Sequence, residues 1–229
     1  MDELFHKFPH TPHLLWLGPG QPREDKVLSP SEVDEFLAGE LVIEEKVDGA
    51  NLGLSLGPDG RLRAQSRGNY LAPGRSHAQW NPLWAWLAER RGVLEPALRD
   101  GLMLYGEWCY ARHTVPYDGL PDWFLGFDVL ELATGRFWSV DRRNAWLAEV
   151  NVVPVPEVAR GRFQLKQLGS LLGWSAVGAV PREGLYLRRE AGGFLIGRAK
   201  VVSAVFKQAI ETHWTRRPVV PNSLALARV

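Results

Sequence analysis

The sequence is poor in three things. One cysteine, Cys109, in 229 residues excludes an internal disulfide framework, argues against a cysteine-rich metal site and points to a reducing, cytoplasmic setting. No apolar run approaches the ~20 residues of a membrane span. The opening "MDELFHKFPHTPHLLWLGPG" has no cationic flank followed by a long apolar stretch, so neither export nor anchoring is expected. Net charge is also scarce, at +1 with a pI near 7.9. That excludes a global basic field, so any polyanionic partner has to be held by a local patch. Internal repeats, low-complexity tracts and linkers are missing too, and the expectation is a single α+β domain over residues 1–229.

What is present suits a real core. The chain is 45% hydrophobic and 23% charged, with ten tryptophans, several of them in amphipathic runs such as "WNPLWAWLAERRG" where packing is the natural role. The segment to about residue 28 is rich in Pro, His and Gly and reads as an irregular arm that packs through its Phe and Leu residues. Ser29 with Glu32 forms a capping box, Pro30 suits the first helical position and Gly39 can close the helix. "LVIEEK", "ANLGLSL" and "RLRAQS", separated by Asp48-Gly49 and by "GPDG", predict an antiparallel meander. Asn81-Pro82 predicts a helix ending at Gly92. "LMLYGEW" and "WFLGFDVLE" predict apolar strands, and a helix over 141–150 precedes a strand at "VVPVP" and a short helical stretch at "FQLKQLGSLLG". "GLYLRRE" and "FLIGRAKV" make a hairpin across "AGG", and "SAVFKQAIET" has helical periodicity.

A lysine in a half-buried strand is costly unless something uses it, which singles out Lys46. Alone, Lys46-Val-Asp48-Gly49 is a weak signal whose ordinary reading is a hairpin turn with a snorkelling lysine. Order and spacing change that reading: "SRG" follows at 66–68, "YGE" at 105–107, "FDV" at 127–129, "EGLYLR" at 183–188 and "GRAK" at 197–200. This string resembles the collinear motifs of the covalent nucleotidyltransferases, and among them the ATP-dependent RNA ligase family. The opening "HKFPHTPHL", the extended "LYGEWCYARHTVPYDGLP" and the tail "HWTRRPVVPN" resemble its small stand-alone bacterial members. The resemblance implies a nucleotidyltransferase (ATP-grasp-like) fold of mainly antiparallel sheets flanked by helices. After Lys200 too little chain remains for an OB-fold domain.

It further implies ATP and Mg²⁺ or Mn²⁺ as cofactors and RNA with 5′-phosphate and 3′-hydroxyl ends as substrate, with an end-processing kinase or phosphatase acting in trans. Lys46 would form a lysyl-AMP intermediate, the adenylate would move to the RNA 5′-phosphate, and a 3′-hydroxyl would displace AMP. An amine attacks phosphorus only when neutral, so Lys46 should be depressed below the usual ~10.4. Burial, cations of the 198–200 segment and a divalent ion would all act in that direction. On an extended strand Glu44 shares the Lys46 face and Glu45 points away, which makes Glu44 the expected electrostatic neighbour.

By resemblance the ATP-binding set comprises Glu45, Lys46, Asn51, Arg67, Glu107, Phe127, Glu183, Arg198 and Lys200. Phe127 would stack on adenine and Glu107 reach the ribose hydroxyls; Glu183, with Asp48 as a helper, would hold the metal. Arg198 and Lys200, two apart on one strand face, would grip the same phosphate, although many relatives carry lysine at the position of Arg198. Arg67, Arg112, His113, Lys207 and Arg216 are the RNA-binding candidates, within a basic surface that also includes Arg188, Arg189 and Arg217. His6, His10 and His13 are interrupted by Pro9 and Pro12 and fit no helix face as metal ligands. The competing readings are a DNA-joining or polynucleotide 5′-adenylating enzyme with the same first step, and a non-catalytic RNA- or nucleotide-binding protein.

Overall fold

Strand alternation builds two separate sheets from this chain. In the computed structural model residues 5–17, 26–203, 206 and 218–225 are described. Lys207, Arg216, Arg217 and most of the helix expected at "SAVFKQAIET" lie outside them. The first sheet has the antiparallel order β10-β9-β1-β8, from Phe194–Val202, Gly184–Ala191, Leu41–Lys46 and Glu157–Gly161. The second runs β3-β2-β4-β5-β6, from Leu62–Gln65, Ala50–Leu56, Leu102–Trp108, Phe124–Glu131 and Arg136–Phe137, with β7 (Val153–Pro154) parallel to β5.

Each sheet turns one apolar face to helices. Leu41 and Ile43 of β1, Leu185 and Leu187 of β9, and Ala199 and Val201 of β10 pack with Val33 and Phe36 of α1 (Pro30–Leu37) and Leu168 of α4 (Leu165–Leu168). Leu52, Leu54, Leu104 and Trp108 of the second sheet pack with Leu83, Trp86, Leu87 and Leu94 of α2 (Leu83–Ala97) and Leu147 of α3 (Val140–Glu149). The period of two then sends the alternate residues of both sheets to the facing side, where the polar ones gather.

Several sequence expectations hold. The capping box of α1 forms, with the Ser29 hydroxyl accepting from Glu32 N and the Glu32 carboxylate accepting from Ser29 N. The last hairpin turns at Gly192 and Gly193, whose φ of 58° and 79° suit glycine. Others are corrected. β1 does not pair with β2, so there is no three-strand meander. Asp48-Gly49 is a crossover between sheets, and its polar groups are satisfied elsewhere: Asp48 N donates to the Tyr117 hydroxyl at 2.8 Å and Gly49 N to Glu107 Oε1 at 3.1 Å. A Cβ at Gly49 would lie 2.7 Å from the Trp108 carbonyl oxygen, so the crossover is tight against β4. Helix α2 continues past Gly92, because Leu94 beyond it is fully buried against the second sheet. Strand β8, which edges the first sheet beside β1, was not anticipated; its partly exposed residues carry no clear apolar alternation.

Candidate active site

The two sheets face each other across a cleft of about 710 Å³, within the range of small-molecule sites. Lys46 sits where β1 ends, in register with Gly184 at the start of β9. Glu183, one residue earlier, is therefore brought alongside, and Lys46 Nζ donates to Glu183 Oε1 at 2.5 Å. Asn51 of β2 pairs in register with Glu107 of β4, which carries both across the cleft from β1. Lys46, Asn51, Arg67, Glu107, Phe127 and Lys200 all line the cleft, as do His113 and Glu45.

The electrostatics differ from expectation. Burial pulls the Lys46 ammonium down, but the carboxylates of Glu183, Glu107 and Asp48 outweigh it, so Lys46 titrates above its ordinary value in the ligand-free protein. Burial likewise pushes Glu183 up to about 8 and Glu107 to about 7, against the opposing pull of Lys46. Three carboxyl groups surround one ammonium, and two of them, Glu183 and Glu107, are held above the usual carboxylate range. Glu183 Oε2 is buried without a hydrogen-bond partner. That orphaned oxygen suits a divalent cation, although the described residues contain no cluster of three His, Cys, Asp or Glu able to hold a metal by themselves. Glu183 could supply one ligand, and the remainder of a shell would have to come from phosphate oxygens and water.

Glu44 is not the neighbour of Lys46. Its carboxylate receives Arg143 Nη2 at 2.6 Å and Nη1 at 3.2 Å, and both side chains are buried. Arg188 is fully buried as well, donating to Asp128 Oδ1 at 2.7 Å, Glu190 Oε1 at 2.8 Å and the Trp138 carbonyl at 2.8 Å. It therefore cannot belong to an RNA-facing surface. Arg189 is spent on the Glu35 carbonyl at the end of α1. The Glu45 carboxylate accepts from Ser175 Oγ at 2.5 Å, Ala176 N at 2.9 Å and Arg182 Nε at 3.3 Å, which anchors the 175–182 loop. Asp48 Oδ2 accepts from Thr114 N and Val115 N, both at 2.8 Å, so that oxygen is occupied in holding a loop rather than open to a metal.

Arg198 shares the strand face of Lys200 but not its surroundings. It lies 3.5 Å from Asp128 Oδ2 with its guanidinium over the Phe137 ring at 4.2 Å, and it is not among the residues lining the cleft. Arg112 is exposed outside the cleft, while His113 beside it enters and meets the Gln79 side-chain oxygen at 3.0 Å.

Sequence reasoning missed part of the wall. Phe8 and Thr11 from the arm, His77 and Gln79 from the 77–80 turn, and Tyr186 of β9 all line the cleft. Phe8 stands edge-on to Phe127 at 5.2 Å and to Tyr105 at 5.0 Å. The arm also brackets Lys200: Lys200 N donates to the Pro12 carbonyl at 2.9 Å, and Leu14 N donates to the Lys200 carbonyl at 2.8 Å. The available signal was the phrase "HKFPHTPHL", which carried the subfamily likeness without a role attached to its residues.

Two antiparallel sheets closing on a lysine-bearing cleft define a nucleotidyltransferase-like α+β fold. The family model described as RNA ligase matches residues 39–207, and the chain belongs to that family. Solved structures of the Naegleria gruberi RNA ligase share the fold. An arginine-to-alanine mutant with ATP and Mn superposes with a TM-score of 0.63 at 18% identity, covering 90% of this chain and 58% of that one. The form with PPi gives 0.61 at 18% identity over 79% and 54%, and a lysine-to-methionine mutant with AMP and Mn gives 0.59 at 19% over 78% and 54%. This chain thus spans little more than half the length of those ligases. No curated protein matches it.

Proposed function

We propose that the protein is an ATP-dependent RNA ligase that joins 3′-hydroxyl and 5′-phosphate ends through a lysyl-AMP intermediate, and that the chain works as one nucleotidyltransferase domain. The observation that carries this reading is Lys46 at the cleft wall, hydrogen-bonded to Glu183 and opposed by Glu107. The family match and the ATP, AMP and PPi complexes of the Naegleria ligase support it.

In the first step Lys46 Nζ attacks the α-phosphorus of ATP. A P–N bond forms, the bond to the bridging oxygen breaks, and pyrophosphate leaves with the electron pair. The ammonium must first lose a proton. Glu183 orients that ammonium in the ligand-free protein, and the proton is released to solvent. Mg²⁺ or Mn²⁺ bound at Glu183 would supply positive charge to the triphosphate. With Glu183 drawn away from it, Lys46 would lose its nearest anionic partner, and burial would then lower its pKa as attack requires. Lys200 neutralises phosphate charge, Glu107 accepts from the ribose hydroxyls, Asn51 and Arg67 take the phosphates, and Phe127 offers a ring to adenine. Arg198 contributes through Asp128 and the Phe8–Phe137 wall rather than by gripping the same phosphate. An RNA 5′-phosphate oxygen then attacks the same phosphorus, releasing the Lys46 amine, and a 3′-hydroxyl finally displaces AMP. We assign the supply of such ends to a kinase or phosphatase acting in trans.

The test is intact-protein mass spectrometry after mixing with ATP and Mg²⁺ or Mn²⁺. An AMP adduct that is absent in Lys46→Ala is expected, and no adduct with either metal would overturn the proposal. Nicked RNA, DNA and hybrid duplexes then distinguish RNA joining from DNA joining.

A further inference from the structure

From Gly60 to Ala88 the chain contains four arginines, Arg61, Arg63, Arg67 and Arg75, together with His77 and no Asp or Glu, although the whole chain is nearly neutral. At its inner end this segment enters the cleft through Ser66, Arg67 and Gly68. Outward from there the surface continues through exposed Asn69, Tyr70 and Arg75. Two carboxylates reach the segment at the far end of β3, where Glu95 accepts from Leu62 N and Asp59 from Arg61 N.

Tyr70 is an unusual surface residue, a large ring 40% exposed yet held firmly. It forms a bridge with Gln65, Ser66 N donates to the Asn69 carbonyl at 2.8 Å, and Leu71 N donates to the Ala64 carbonyl at 2.9 Å. The Arg63 guanidinium lies 4.6 Å from the ring centroid, and the Phe5 ring meets it at 5.1 Å and 82°. A rigid exposed aromatic among arginines is the surface that single-stranded nucleic acid uses, with bases stacking on the ring and phosphates meeting the cations. Being ordered already, it has little conformational freedom left to lose on binding. Tyr70 is not among the residues lining the cleft, so a mononucleotide held there would not meet its exposed part, whereas a polynucleotide extending from the cleft would cross it.

We propose that the surface from Arg67 through Asn69, Tyr70 and Arg75 is the track for the RNA strand bearing the 5′-phosphate, with Tyr70 as the stacking platform for an unpaired base near that end. This rests on the ligase reading and adds a direction of exit to it.

The experiment separates the two steps. Adduct formation is measured with ATP alone, and transfer is then measured from preformed adduct to subsaturating single-stranded 5′-phosphorylated oligoribonucleotide. Binding of the same oligonucleotide by unadenylated protein is followed by fluorescence anisotropy across a salt series, which reads the surface even where no adduct forms. Tyr70→Ala should leave adduct formation within about twofold of wild type and reduce transfer and binding about tenfold, the size of one lost base stack; Tyr70→Phe should restore both. Arg75→Ala should weaken binding and lower the salt slope by roughly 0.7, the value for one single-strand phosphate contact. Unchanged binding and transfer in Tyr70→Ala and Arg75→Ala would overturn the proposal. So would a raised KM for ATP in the first step with RNA binding intact, since that would assign the surface to the mononucleotide. Absence of the adduct in wild-type protein would instead overturn the ligase reading.

Discussion

Two clusters of charge lie between the sheets, and they are built on opposite principles. In one, Glu44, Asp128 and Glu190 meet Arg143, Arg188 and Arg198, three anions to three cations, with the guanidiniums also donating to the carbonyls of Phe127 and Trp138. In the other, Glu183, Glu107 and Asp48 surround Lys46, a buried carboxylate oxygen has no partner, and two carboxyls are pushed toward neutral pH. The saturated cluster fixes the spacing of the sheets. In the proposed function the unsaturated one takes its missing positive charge from the bound cation. Perturbed titration in a cleft marks a site of chemistry more clearly than burial of charge alone.

The sharpest way to break this comparison is to exchange Lys46, the nucleophile of the proposed function. Lys46→Arg retains a cation but a guanidinium does not deprotonate, so the AMP adduct should fall below detection by mass spectrometry while thermal unfolding stays close to wild type. Next in size is the saturated cluster. Arg143→Met leaves Glu44 buried with only Arg188, 3.7 Å away, and should cost about 3–5 kcal/mol in denaturant unfolding. Combining it with Glu44→Leu should recover most of that loss, because the remaining arginines keep Asp128 and Glu190. If the double variant stays as unstable as the single, the cluster is doing something other than balancing charge.

Glu183→Gln should behave in the opposite sense, slowing adduct formation by about a hundredfold, the order found for loss of one electrostatic contact to the reacting group, with little loss of stability. Its effect on pH dependence is a further check. The folded protein keeps a proton on Glu183 up to about 8 and on Glu107 up to about 7, whereas both ionise near 4.5 when unfolded. The native state thus binds more protons across this window, and this part of its stability falls as pH rises from about 4.5 to about 8. Glu183→Gln should flatten that decline in Tm between pH 5 and 8, and an unchanged decline would show that the Glu183 shift is not present. The smallest expected effect is that of Phe8→Leu, about 1 kcal/mol in stability, with a KM for ATP raised more than kcat is lowered if the Phe8 ring supports Phe127.

The elements that carry the cleft were legible because strand alternation and capping are local. Ser29 and Glu32 announce α1, and the alternation of "LVIEEK" correctly puts Glu44 and Lys46 on one face and Leu41 and Ile43 on the other. Partner choice was not legible. Asp48-Gly49 has the chemistry of a hairpin turn, and only the distant Tyr117 hydroxyl and Glu107 carboxylate convert it into a crossover. The same blindness misassigned Glu44 and Arg188, since nothing local distinguishes a strand arginine facing solvent from one facing Asp128. The sign of the Lys46 shift depended on which carboxylates converge on it, and Glu183 is 137 positions away.

That separation has a consequence for biosynthesis. The lysine emerges from the ribosome early, its carboxylate partner late, and the backbone groups that grip Lys200 belong to residues 12 and 14. A nascent chain cut off before β10 would carry Lys46 in an unfinished pocket. Competence should thus await both the last hairpin and the segment around Asn222, whose Oδ1 accepts from Tyr117 N, and a series of released C-terminal truncations would time its arrival.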